Sequence, residues 1–198
     1  LNLLDDKDAT HLAVPGKLAG TNFTGSLLVG HATSGTLNAA QNNTGVGTTA
    51  LTSLTTGDKN TAVGNGAGTS LTTSVENTAV GRNALRWVAT GTGRNTAIGV
   101  DALTSGNTTF AENTAVGAYA LTAVTGNVNI GIGYSAGANI TSGSGNVIIG
   151  EVDAGSATGD RQLLIAGHDG STRTTWISGD SSGNLTFAAN TTIGGNLI

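Results

Sequence analysis

The sequence predicts an all-β chain, a parallel β-roll or β-solenoid of about eight coils of 16–18 residues, and three observations carry that expectation. An Asn, a strand-like triplet and a Gly recur with openings at Asn43, Asn60, Asn77, Asn95, Asn113, Asn129 and Asn146, a nearly constant period. The triplet reads Thr-Ala-Val from Thr61, Thr78 and Thr114 and Thr-Ala-Ile from Thr96, residues that favour strands. The composition is that of strands and turns, with 32 Gly, about as many Thr, one Pro and only 4% aromatics. There is no G-X-Y period, which excludes collagen. A fixed period of this length means stacked coils, each burying its apolar residues against its neighbours.

Taken in order, residues 1–25 lack the repeat and form an N-terminal cap or connecting segment, with Leu12, Val14, Leu18 and Phe23 available to cover the open end of the stack. The cluster Asp5-Asp6-Lys7-Asp8 reads as a solvated turn. Residues 26–166 are the solenoid. Its first copy, Ser26-Leu27-Leu28-Val29-Gly30, is degenerate and sits one period before the copy that opens at Asn43.

Within one coil the fourth position is always aliphatic (Val46, Val63, Val80, Ile98, Val116, Ile132, Ile149), and that constancy assigns it to the interior. Strand alternation then points the third position outward. That position stays small, as at Ala62, Ala79, Ala97 and Ala115, where a solvent-facing site would drift to polar residues. Both strand faces therefore read as covered, with a second chain over the outer one, and these four alanines are the expected interface.

The Gly that follows marks a corner needing positive φ. Ala-Leu pairs three residues later (Ala50-Leu51, Ala84-Leu85, Ala102-Leu103, Ala120-Leu121) are expected to open a second short strand whose Leu fills the interior. The leading Asn suits an amide ladder at the ~4.8 Å strand spacing and a hydrogen bond to local backbone. Eight coils make a stack about 34 Å tall. Residues 167–198 change to short alternating strands, 172–178, 184–188 and 191–197, a fibrous β tail too poor in core residues to stand alone. The start at Leu1 and the stop at Ile198 inside a strand-like pattern suggest a segment of a longer protein, with no signal peptide at its beginning.

The chemistry is sparse. A net charge of −4 and a pI near 5.1 lack the basic footprint of nucleic-acid binding. No apolar run reaches the ~18 residues of a membrane span. Without Cys there are no disulfides or thiolate metal sites. His168-Asp169 has no neighbouring nucleophile, and His11 and His31 stand alone. Glu151, Asp153 and Asp160 match neither the EF-hand nor the Ca²⁺-binding nonapeptide pattern. Gly64-Asn65-Gly66-Ala67-Gly68 lacks the Lys-Ser/Thr ending of a phosphate loop. We therefore expect no enzyme and no cofactor. Arg86, Trp87 and Phe110 lie in or near variable loops, where packing between neighbouring coils or chains is the favoured reading of the aromatics; they are also the candidate receptor-contact positions, since an aromatic there can stack on a sugar ring.

The Asn-Thr-Ala-Val-Gly unit followed by three residues and Ala-Leu resembles the head repeats of trimeric autotransporter adhesins. It is also similar to repeats in bacteriophage tail-fibre and virion-fibre proteins, over about residues 26–155. The ending Thr174-Thr175-Trp176-Ile177-Ser178-Gly179-Asp180-Ser181-Ser182-Gly183-Asn184-Leu185 resembles phage fibre sequence. The resemblance implies left-handed β-rolls, three chains about one axis, and no catalytic residues. The loops and the period here are longer than in adhesin heads.

The implied function is a structural segment of a trimeric tail fibre, a rigid shaft or head in the virion that contributes to host attachment. Its partners would be itself, other virion tail proteins and a host surface receptor, a glycan among the candidates, with no nucleic acid and no membrane insertion. The alternatives are the head of a bacterial surface adhesin and, on the rank Thr61, Thr78, Thr96 and Thr114, an ice-binding solenoid.

Overall fold

The computed structural model describes residues 16–20, 23–29, 39–88, 90–105 and 109–188. These residues form twelve strands in one continuous sheet and no helix. Seven three-residue strands carry the repeat: β3 (Thr44–Val46), β4 (Thr61–Val63), β5 (Thr78–Val80), β6 (Thr96–Ile98), β7 (Thr114–Val116), β8 (Ile130–Ile132) and β9 (Val147–Ile149). They lie between β2 (Phe23–Val29) and β10 (Leu163–His168). From β2 to β10 every strand pairs in parallel with the next, so that Thr61, Thr78, Thr96 and Thr114 stack in one file. The chain is a parallel β-solenoid of about seven turns, each about 17 residues long.

Antiparallel pairs close both ends. β1 (Gly16–Gly20) turns back on β2, and β11 (Arg173–Gly179) turns back on β10 and then pairs with β12 (Leu185–Phe187). The expected tail strands at 172–178 and 184–188 are thus present as β11 and β12. The third, at 191–197, lies outside the described residues, as do Leu12, Val14, the charge cluster, His11 and His31.

The repeated Asn is the axial element of the stack. Each is buried, and its Oδ1 accepts both the backbone N–H and the side-chain Nδ2 of the Asn one coil on. For Asn60 on Asn43 these bonds are 2.9 and 3.1 Å, and for Asn77 on Asn60 they are 3.0 and 2.9 Å. The Nδ2 also donates to its own coil's closing loop, as Asn60 does to the Ser74 carbonyl at 2.9 Å. The ladder begins at Ser26, whose Oγ accepts the Asn43 N–H, and ends at Gln162, which donates to Asn146 Oδ1 through its backbone N–H and Nε2. The hydrogen bonds of a buried amide so fully partnered offset its desolvation cost and lock the coil register.

Because that Asn points inward, strand alternation reverses the faces expected from the sequence. Ala62, Ala79, Ala97 and Ala115 are at 0% exposure inside the coil, packed into the chain's own core. They are not an interface between chains. The aliphatic fourth position faces out instead, with Val63 at 38%, Ile98 at 40% and Ile132 at 41% exposure.

The cause is the thinness of so short a coil. From β3 to β8, leucines from the turn opposite fill its interior and leave room at the strand for one methyl or none, while at the ends of the stack Leu28 and Ile148 occupy the same inward position. A Cβ on Gly131 would come within 2.8 Å of Leu121 Cγ and 2.9 Å of the Ala136 carbonyl oxygen. The small residue therefore marks a crowded interior, not a close approach outside.

The Ala-Leu segment is also not a second strand. It runs through turns in which alternate residues take left-handed φ, for example Thr49 at 60° and Leu51 at 55°, Asp101 at 53° and Leu103 at 51°. Its N–H groups still reach neighbouring coils, as from Leu51 to the Ala67 carbonyl (3.1 Å) and from Leu103 to that of Ala120 (3.0 Å). Left-handed φ costs an L-residue about 1–2 kcal/mol, while burying a Leu side chain stabilises by about 1.5–3 kcal/mol. Burial wins, and Leu51, Leu85, Leu103 and Leu121 are fully buried as expected. The corner Gly keeps its predicted role. Gly64 sits at φ 135°, and a Cβ there would lie 2.5 Å from the Gly81 carbonyl oxygen.

Candidate functional site

Among the described residues no group of three His, Cys, Asp or Glu side chains could hold a metal. Glu151 is paired with His168 (Oε2 to Nδ1, 2.7 Å) and lies 3.9 Å from Arg173, while Asp160 Oδ1 accepts the Ser144 N–H. Asp169 caps the β10–β11 turn by accepting the N–H groups of Ser171 and Thr172, which holds its carboxyl below the usual carboxylate range. An open groove of about 280 Å³ beside it is lined by Gly167, His168, Asp169, Thr172, Thr174 and Trp176. It aligns no nucleophile with a base. No described helix is long and apolar enough to cross a membrane.

The three candidate receptor-contact residues separate. Arg86 and Trp87 stay together on a turn segment, the guanidinium carbon 4.5 Å from the indole centroid and Trp87 at 45% exposure. Phe110 is 1% exposed and belongs to the core. Its backbone carbonyl accepts from Asn95 Nδ2, the place held by Gly57, Ser74, Gly126 and Gly143 in other coils. By sequence register the same coil carries Gly106 where its neighbours carry Leu54, Leu71, Val88, Val124 and Ile140. That missing aliphatic was the available signal that the ring goes inside.

What the structure assembles is the outward face of β3–β9. One file is Thr44, Thr61, Thr78, Thr96, Thr114, Ile130 and Val147; the other is Val46, Val63, Val80, Ile98, Val116, Ile132 and Ile149. All these residues are exposed or half-buried. With β2 and β10 the strands span eight steps of ~4.8 Å and are each about 10 Å wide, a flat strip of about 400 Å². The Val/Ile file makes up about half of that strip and the mostly Thr file the rest, and an apolar patch of a few hundred Å² is often a functional surface.

Two edges flank the strip. On the edge before the strands, left-handed residues present alternating charges: Lys59 Nζ is 3.0 Å from Glu76 Oε1, and Arg94 reaches Glu76 at 3.3 Å and Glu112 at 2.8 Å. Hydrogen bonds from Lys59 and then Arg94 hold the Glu76 carboxyl below its usual range, and Glu112 and then Glu76 raise the Arg94 guanidinium. The next residue in that file is Val128, at 53% exposure. On the edge after the strands, Arg82 and Asn83 both bond Asp101, at 2.5 and 2.9 Å. Further along, Tyr134 meets Tyr119 edge-on, with centroids 5.8 Å apart at 83°.

Fold and surface together define a repeat protein, a β-solenoid with an outward aliphatic file. Comparison with family models, with curated proteins and with solved structures returned no match.

Proposed function

We propose that this chain is a structural segment of a trimeric bacteriophage tail fibre, a rigid shaft or head that contributes to host-cell attachment. The observation that carries the reading is the outward Val/Ile file, from Val46 to Ile149, lying on an otherwise self-contained coil. Copies arranged about an axis parallel to the stack bury that file on every chain, the closed symmetry usual for homo-oligomers. The Asn ladder and the coil-to-coil hydrogen bonds supply stiffness along the same axis. The repeat's resemblance to fibre proteins supports a virion appendage over other settings. Trp87, beside Arg86, is the exposed aromatic through which this segment would touch a receptor.

Sedimentation equilibrium of the full chain tests the assembly. The expected mass is three times the chain's own 19.4 kDa. A folded species that stays at 19.4 kDa over the accessible concentration range overturns the proposal.

One observation favours a second reading. The Thr file also faces outward at a regular ~4.8 Å spacing, which suits an ordered lattice such as ice. A monomeric mass together with thermal hysteresis would select it.

A further inference from the structure

We infer that the groove beside the β10–β11 turn is a binding site for a single neutral sugar ring, with Trp176 as the platform and His168, Asp169, Thr172 and Thr174 as its polar contacts. It lies five strands on from β5, whose coil carries Trp87. Every group in it comes from one chain, so it does not rest on the self-association proposed above.

The platform is built by a shift of register. Ile165 pairs with Ile177 and Ala166 with Thr175, so Trp176 is the extra residue of a bulge and has no partner across the ladder. Its carbonyl accepts the Ala188 N–H at 2.9 Å, which ties the bulge to the chain just past β12. A bulge bends its strand and re-aims a side chain. Here the indole comes to lie on Gly167, where a Cβ would fall 2.6 Å from Trp176 Cη2 and nearer still to Cζ2. Gly167 takes no left-handed φ, so it is glycine for room and not for conformation. The ring remains 53% exposed, because β11 extends the sheet past the last closed coil and most of its residues face solvent.

The polar side is built by the turn. Asp169 Oδ1 takes the N–H groups of both Ser171 and Thr172, which leaves Oδ2 open to a ligand hydroxyl. His168 Nδ1 lies 2.7 Å from Glu151 Oε2. A carboxylate only accepts, so Nδ1 carries the proton and Nε2 of the neutral ring is an acceptor. The Thr172 and Thr174 hydroxyls on the same groove donate and accept.

Two fixed acceptors suit a ligand that donates, and the Asp169 charge repels one that is anionic. A pyranose matches both sides of the groove: its C–H face packs on an aromatic ring, and its rim of hydroxyls donates and accepts. The volume of about 280 Å³ sits at the low end of the ~300–1,000 Å³ of small-molecule pockets, room for one ring and not for a long chain.

Saturation-transfer NMR on the full chain tests the site. The probes are the methyl glycosides of glucose, galactose, mannose and N-acetylglucosamine, with methyl glucuronide as the anionic control. At least one neutral glycoside should receive magnetisation, mostly at the C–H protons of one ring face, with Kd on the order of 1 mM. The glucuronide should bind about tenfold more weakly than the glucoside. Trp176→Ala should lose the signal and Trp176→Tyr should keep it. Should Trp176→Ala unfold the hairpin, Asp169→Asn reads the site alone: its Oδ1 still caps the turn, its charge is gone, and the discrimination against glucuronide should disappear.

No transfer to any of the neutral glycosides overturns the site, as does transfer that survives Trp176→Ala in a folded chain. Equal binding of glucuronide and glucoside overturns the part given to Asp169. A signal lost with Trp87→Ala and kept with Trp176→Ala moves sugar binding to the receptor contact proposed above and removes it from the groove.

Discussion

Replacing Asn77 by Ala removes one rung of the buried ladder, and the structure says what each neighbour loses. The Asn77 side chain donates to Asn60 Oδ1 (2.9 Å), Ser74 Oγ (3.0 Å) and the Val75 carbonyl (3.1 Å), and it accepts from the backbone N–H and Nδ2 of Asn95. Several of these partners keep another bond. Asn60 Oδ1 still takes the backbone N–H of residue 77, Asn95 Nδ2 still reaches the Phe110 carbonyl, and the Val75 carbonyl still accepts the Arg94 N–H.

Two buried groups are left without a partner, the Asn95 N–H and the Ser74 hydroxyl. At about 1–3 kcal/mol for each orphaned buried group, the variant should lose about 2–6 kcal/mol. Urea denaturation followed by circular dichroism at fixed chain concentration measures this, with Thr78→Ala as the outward-facing control. A loss below about 1 kcal/mol, or one equal to the control's, would refute the claim that the ladder holds the coils together.

Three further outcomes follow from the same packing. Ala97→Leu forces three extra carbons into a filled interior and should cost about 1–3 kcal/mol or more, whereas Ile98→Lys on the other face should leave the fold intact and lower the sedimentation mass to that of one chain. Phe110→Ala should destabilise by about 3–5 kcal/mol through the cavity it leaves, as melting would show, because the ring is buried and not a receptor contact. Asp169 is held below its ordinary value of 3.8 by bonds from the Thr172 and Ser171 N–H groups. Since its folded pKa is depressed, the stability it contributes is present above that ordinary value and fades as pH falls through the folded one. The Thr172 amide resonance should thus titrate with a midpoint below 3.8, and a midpoint at or above that value would count against the cap.

Much of the fold was legible because stacking imposes a period. Asn at fixed intervals, Gly at the corner and Leu in the turn each answer a need that recurs once per coil, so each could be read from one chain. The Asn ladder, the parallel strands and the buried leucines all followed. The Ala-Leu turn did not, because left-handed φ at Leu51 or Leu103 contradicts local preference and is stabilised only by contacts one coil away.

The direction of the strand was the other thing hidden in the sequence. Alternation states that Ala62 and Val63 point oppositely, but not which of them faces in. Hydrophobicity favoured Val63; volume decided for Ala62, since the interior opposite was already filled. That reversal moved the candidate surface from the alanines to the aliphatic file.

By itself, then, the sequence determined that this chain stacks in coils of nearly constant length with an amide at every corner, since both needs are local and repeat. Only the tertiary structure decided which strand face meets solvent, where Phe110 goes and which charges line one edge. Those depend on the cross-section of the closed coil, a length that no stretch of the sequence contains.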